Sequence, residues 1–266
     1  MSFAAAWEAA CDVEGWLTEA QARRLFAAAG AVAPGGRIVE IGSFRGRSAI
    51  VLAHGARPDV EVVCIDPHAG SDRGPREIAA QPALGEEDLA AFRRNLEQAG
   101  VSDRVRHVRD FSSVALRALD GPVDLLFVDG AHRFGPARAD LVRWGARVPD
   151  GGRMLVHDAF SSIGVTLALL TATVPRPSWR YVGREGSLAA YVRASPARRA
   201  APGLRELREL PWFALNVVRK GLIARGLDKA RIRATGYGSS RPAIAAAPGA
   251  REPFNRRIEM EIRCTG

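Results

Sequence analysis

Four aspartates and a glycine turn end five β-branched apolar runs of this 266-residue chain. Gly42 ends "GRIVEIG" (36–42), Asp66 ends "VEVVCID" (60–66) and Asp110 ends "RVRHVRD" (104–110). Asp129 stops the run in "VDLLFVDG" (123–130), and Asp158 stops "GGRMLVHD" (151–158). A single aspartate in such a place is ordinarily a turn former or helix cap. Repetition at four ends points instead to one shared crevice, where carboxylates can accept hydroxyl hydrogen bonds in pairs. Glycines between a strand and a helix let a ligand approach the backbone. Here the spacing is E-x-G-x-x-x-G, from Glu40 through Gly42, Ser43 and Phe44 to Gly46, and not the G-x-G-x-x-G of dinucleotide sites, so a nicotinamide cofactor is not expected.

Helix-period stretches at 46–55, 86–98 and 135–147 separate the runs, and two further helices are expected at 4–10 and 18–30. Near-continuous apolar strands alternating with amphipathic helices predict an α/β fold, with a parallel sheet covered on both faces. Such sheets bind ligands at the carboxyl ends of their strands, where the acids and the glycine turn lie. "SWRYVGREGSLAAYVRA" (178–194) reads as an antiparallel hairpin closing the sheet, turning through residues 183–186.

Glu40 to Gly46 resembles motif I of class I S-adenosylmethionine-dependent methyltransferases. The stretch 124–160, with "VDGAHRF", "PDGG" and "HD", resembles a bacterial subgroup related to macrocin-type sugar O-methyltransferases. The resemblance spans roughly residues 30–195 and implies a doubly wound, mostly parallel, Rossmann-like sheet of seven strands. It implies that Glu40, Gly42, Ser43 and Gly46 hold the amino acid part of S-adenosyl-L-methionine. Asp66 then holds the ribose, and Asp110, Phe111 and Ser112 border the adenine. Relatives place a divalent ion at the positions of Asp129 and Asp158, which makes Mg2+ or Mn2+ a second expected cofactor. Position 157 departs from metal-using relatives that carry a second carboxylate there. Imidazole suits Mg2+ poorly. A metal-free alternative uses His132 or His157 as general base, since imidazole titrates near neutrality. Either way Asp129 belongs to the catalytic set. The expected reaction is O-methylation of a small-molecule or sugar hydroxyl. The alternative is a non-catalytic binding module on the same fold, against which the intact Glu40, Gly42 and Asp66 speak.

Composition narrows the partners. Cys11, Cys64 and Cys264 are few, odd in number and far apart, and "MSFAAAWEAACDVEG" lacks the basic start of a secretory signal, so a cytoplasmic protein is expected. Residues 1–195 hold 23 basic and 23 acidic side chains, whereas residues 196–266 hold 15 and 6, which accounts for the net +9. That charge predicts a solvated surface and no nucleic-acid partner. A homo-oligomer stays open.

The organisation read from these features is a domain over 1–195, a linker and basic amphipathic helix over 196–220, and a tail over 221–266. The helix in "LRELRELPWFALNVVRKGLIARGL" (204–227) packs on the core or lies peripherally on an anionic membrane surface. The tail resembles the second half of OmpA-like domains through Gly226, Arg231-Ile232, Gly236-Tyr237-Gly238, Pro242, Asn255-Arg256-Arg257 and the alternating Ile258–Ile262. The first half of that family, with its peptide-binding residues, has no counterpart. Finally, the Pro/Gly-rich segment 67–84 is long for a crossover and reads as a lid or a surface loop.

Overall fold

The computed structural model describes residues 1–71, 79–176, 178–195, 205–225, 232–238 and 257–262, the last two by backbone alone. The chain divides into two units, Met1–Glu206 and Leu207–Gly266.

The first unit opens with α1 (Phe3–Ala10) and α2 (Glu19–Gly30). Thr18 starts α2 through a capping box: its hydroxyl accepts from the Gln21 amide, and the Gln21 side chain accepts from the Thr18 amide at 2.9 Å. Strands β1 (Arg37–Ile41), β2 (Glu61–Ile65), β3 (Val105–Val108), β4 (Leu125–Val128) and β5 (Arg153–Val156) follow. Between them run α3 (Arg47–Gly55), α4 (Pro82–Gln98), α5 (Ser112–Ala118) and α6 (Phe134–Arg143). After β5 come α7 (Ile163–Ala172), β6 (Trp179–Glu185) and β7 (Leu188–Arg193).

The spatial strand order is β3-β2-β1-β4-β5-β7-β6. Strands β1 to β5 are parallel, and β7 runs antiparallel between β5 and β6. This is the expected seven-stranded, Rossmann-like sheet. The chain winds outward from β1 to β3, then returns to place β4 on the other side of β1. The crevice therefore opens above the β1 and β4 ends. Ile38, Val39, Val62, Val63, Leu125, Leu126, Phe127, Met154 and Leu155 are buried, as strands with helices on both faces require.

Three local expectations shift. The closing hairpin turns at Gly186-Ser187 rather than over 183–186, and Gly183 instead sits where the β6–β7 register breaks. A left-handed φ of 111° at Gly183 accommodates that bulge. The helix expected over 135–147 stops at Arg143, followed by a 3-10 turn over Gly145–Arg147. The third strand ends at Val108, so Asp110 lies in the loop beyond it. Of the segment 67–84, residues 72–78 lie outside the described residues.

The second unit contains α8 (Leu210–Ala224), β8 (Ile232–Gly238) and β9 (Arg257–Ile262). The helix is shorter than the 204–227 expected. The strands pair antiparallel from Ile232↔Ile262 to Gly238↔Arg257. Gly226, Arg231, Pro242, Asn255 and Arg256 of the tail motif lie outside the described residues, as does the linker 196–204. Among the described residues no helix is long and apolar enough to cross a membrane.

Candidate active site

The glycine turn after β1 is shaped by its neighbours as much as by any ligand. Gly42 has φ 88°, and a Cβ there would overlap the Asp129 carbonyl and lie 2.8 Å from the Gly130 Cα. Gly46 caps α3 at φ 93°, and a Cβ would come 3.2 Å from the Phe92 ring. Both positions exclude L side chains, because φ is left-handed and space is short. The turn after β1 thus lies directly on the turn after β4.

Glu40 sits below the turn with no exposed surface. One carboxylate oxygen accepts from the Ser48 hydroxyl, and Oε2 has no hydrogen-bond partner among the described residues. Burial raises this carboxyl to about 7, against the pull of Ser48, and the charge of Asp129 adds to the rise. Ser43 is 2% exposed, and its side chain, like that of Cys64, eases the rise of the Glu40 pKa.

At the β2 end, Asp66 braces two loops. Its Oδ2 accepts from the Phe44 amide at 2.9 Å, and Oδ1 accepts from the His68 amide at 2.8 Å. A carboxylate has about four acceptor positions, so this geometry leaves two for a ligand's hydroxyls. Asp110 accepts from the Phe111 amide at 2.7 Å, and Phe111 is 58% exposed. Ser112 turns away from the crevice: its hydroxyl donates to the buried Asp140 at 2.5 Å and ties α5 to α6.

The ends of β4 and β5 carry a second cluster, made of side chains gripping one another. His132 Nε2 lies 2.7 Å from Asp158 Oδ2. His157, 5% exposed, lies 3.1 Å from Asp129 Oδ1 and 3.7 Å from Asp158 Oδ2 through Nδ1. Burial alone would lower the His157 pKa, but Asp129 and Asp158 outweigh it and hold the imidazole up at about 10. Burial opposes ionisation of Asp158, yet its bonds to His132 and His157 keep its pKa below the usual carboxylate range. Asp158 has φ 54° and Phe160 φ 57°, both left-handed. Non-glycine residues in this region cost on the order of 1 kcal/mol or more, and such strain collects at functional sites. The wholly buried Phe160 and the Ser161 and Ser162 amides, which donate to the Asp158 carbonyl, hold the loop.

One ligand atom each from Asp129, His132 and Asp158 falls within 4.8 Å of the others. That donor set suits a divalent transition ion such as Mn2+ better than Mg2+. The sequence motifs singled out Asp129, His132 and Asp158 but not that His132 faces Asp158. They also missed Ser48, which cages Glu40 from inside α3.

Comparison with known proteins bears on this geometry. Residues 39–159 match the family model described as a methyltransferase domain. The matched span, a little under half of the chain, contains every residue of both clusters. A catechol O-methyltransferase of Mycobacterium tuberculosis (strain ATCC 25618 / H37Rv) is 33% identical over 123 residues, which is 46% of this chain and 47% of that protein. The chain thus spans about half the length of the curated relative it matches. Among solved structures, cofactor-bound Rv0187 from MTB is 23% identical with a TM-score of 0.52, covering 71% of this chain and 88% of that one. TomG, an O-methyltransferase of Streptomyces achromogenes involved in tomaymycin synthesis and solved with SAM, is 20% identical with a TM-score of 0.50, covering 72% and 90%. At these identities the two structures show the fold of the first unit alone.

Proposed function

We propose that the chain is an S-adenosyl-L-methionine-dependent O-methyltransferase acting on a hydroxyl of a small molecule. One observation carries this reading: Gly42 packs on the Asp129 backbone, so the cofactor turn and the acid–histidine cluster share one wall of the crevice. A methyl donor held at the first lies beside a hydroxyl held at the second, and orientation of the two partners is the main task in such a displacement.

The cofactor supplies an activated methyl group on sulfonium. The acceptor oxygen forms the new C–O bond as the S–CH3 bond breaks, and the acceptor's proton must leave. Asp66 offers its two remaining acceptor positions to the ribose hydroxyls, and Gly42 and Gly46 leave the backbone open to the amino acid part. Asp129, His132 and Asp158 would hold a divalent cation, and such an ion lowers the pKa of a bound hydroxyl. His157 is assigned to holding the Asp129 and Asp158 carboxylates in place rather than to taking the proton. The 2.7 Å contact favours a second reading, in which Asp158 orients His132 as a metal-free base. The acceptor class, suggested by the catechol-methylating relative, is part of this proposal, as are a cytoplasmic location, peripheral membrane contact through the tail and self-association.

Calorimetry with S-adenosyl-L-methionine tests the binding step. Absence of binding would reduce the fold to a non-catalytic module. Turnover of a catechol or sugar acceptor with EDTA, then with Mn2+ restored, separates the two readings. Full activity in EDTA selects the His132–Asp158 base.

A further inference from the structure

Gly135 and Gly164 occupy the second positions of α6 and α7, the helices that follow the two halves of the second cluster. Alanine is normally the better helix former by about 1 kcal/mol, so each glycine needs a reason. Gly135 shows none: a Cβ there would meet nothing within 4 Å. Gly164 is different. A Cβ there would overlap the His132 carbonyl oxygen, lie 2.9 Å from the Phe134 amide nitrogen and 3.1 Å from the Arg133 carbonyl carbon. These are backbone atoms, which cannot swing aside as the end of a long side chain can. Ser162, one residue before α7, reaches the same His132 carbonyl from its hydroxyl at 3.5 Å. The first turn of α7 is thus seated on the peptide that carries His132, and Gly164 lies outside the matched span 39–159.

We infer that Gly164 is a positioning residue, whose missing side chain lets α7 press the 132–134 backbone into the place where the His132 imidazole reaches Asp158. It acts through His132 under either proposed role of that histidine, as cation ligand or as base. The inference rests on the functional reading only for its consequence in turnover; the geometric part stands without it. Groups that support a reactive side chain from behind typically shift metal affinity by about 10–100-fold when changed.

The full-length Gly164→Ala chain, with Gly135→Ala as control, tests it by two readouts. The first needs no metal and no substrate: nitrogen–proton NMR of the imidazoles. In Gly164→Ala the His132 signals should move, while those of His54, His68 and His107 stay; in Gly135→Ala all should stay. The second is Mn2+ binding by EPR, expected to weaken at least about tenfold in Gly164→Ala and to be unchanged in Gly135→Ala. In a His132→Ala background the Gly164→Ala change should add nothing, since coupled residues are not additive. Unmoved His132 signals overturn the inference, even if Mn2+ binds. Loss of S-adenosyl-L-methionine binding together with Mn2+ binding also overturns it, because the glycine would then serve the whole domain. If the unaltered chain binds no Mn2+, the cation reading falls and the imidazole shifts alone decide.

Discussion

The two ends of the crevice are built on different principles. At the β1–β2 end, Asp66 is held by two backbone amides, those of Phe44 and His68, and Glu40 is enclosed at 0% exposure with Ser48 as partner. At the β4–β5 end, carboxylates and imidazoles hold each other, with His132 on Asp158 and His157 on Asp129. Backbone donors are supplied by the turns themselves, so the first end depends on backbone shape, set by left-handed Gly42, Phe44, Gly46 and His68, more than on paired side-chain charges. The second end depends on the identity of each side chain and on a left-handed Asp158. Its charges are also mutually compensating, so removing one member leaves another buried and unpaired. On the proposed reading the β1–β2 end should therefore lose cofactor affinity in modest steps, and the β4–β5 end should lose turnover steeply.

The largest effect should come from Asp158→Asn. Asparagine tolerates the left-handed backbone, so the loop survives while the charge facing His132 and His157 is lost. Turnover should fall on the order of 10²-fold or more, whereas S-adenosyl-L-methionine affinity should change by less than about twofold. Equal losses in both quantities would erase the distinction between the two ends.

Glu40 gives the next effect, read in stability. Its folded pKa is raised from 4.5 to about 7, so its contribution is fully present below 4.5 and is lost as pH rises through about 7. Asp140 and Glu206, each raised by burial to about 6, slope the same way, so the comparison must be with a variant. Denaturant unfolding of Glu40→Gln should show less loss of stability than the parent between pH 4.5 and pH 8, by up to about 3 kcal/mol. Parallel curves for the two proteins would place the Glu40 proton elsewhere.

The same asymmetry explains what the sequence disclosed. Strand runs such as Ile38–Ile41, broken only by Glu40, and the unbroken Leu125–Val128 are β-branched and apolar, and they appear as β1 and β4 within two residues of where the pattern puts them. Asp66 was legible because an acid at a strand end is a local signal. The partner of His132 was not, since Asp158 lies 26 residues away and meets it only after β5 is laid beside β4. Nor does residue type reveal that Ser112 faces Asp140, which depends on how α5 lies against α6. Gly164 carries no motif at all. Its importance is an absent Cβ, visible only once the His132 backbone is in place.

A smaller change is expected from Asp66→Ala. The variant removes the acceptor for the ribose hydroxyls and frees the Phe44 and His68 amides, which should weaken S-adenosyl-L-methionine by about 1–2 kcal/mol, or roughly five- to thirtyfold. Mn2+ affinity at the β4–β5 end should be untouched. Calorimetry with each ligand separately measures both, and unchanged cofactor affinity would remove Asp66 from the ribose site.

The smallest effect should follow from deleting residues 226–266. All seven strands of the sheet, both clusters and the buried Glu206, which accepts from Tyr191 at 2.7 Å and from Thr173 at 2.9 Å, belong to Met1–Glu206. What is deleted contains one described pair of antiparallel strands, β9 of which touches α8, and a two-stranded ribbon adds little apolar burial of its own. Cofactor affinity of the truncated chain should lie within about twofold of the parent, the change expected when no contact to the site is lost. A tenfold loss would show that the tail completes the crevice. The deleted segment holds 8 basic and 4 acidic side chains, a net +4 of the chain's +9, so the parent should bind purified peptidoglycan sacculi at low salt and release them at physiological ionic strength, as screened attraction does. Retention at physiological salt that disappears on truncation would instead give the tail a specific envelope ligand, and a role that the proposed methyl transfer does not account for.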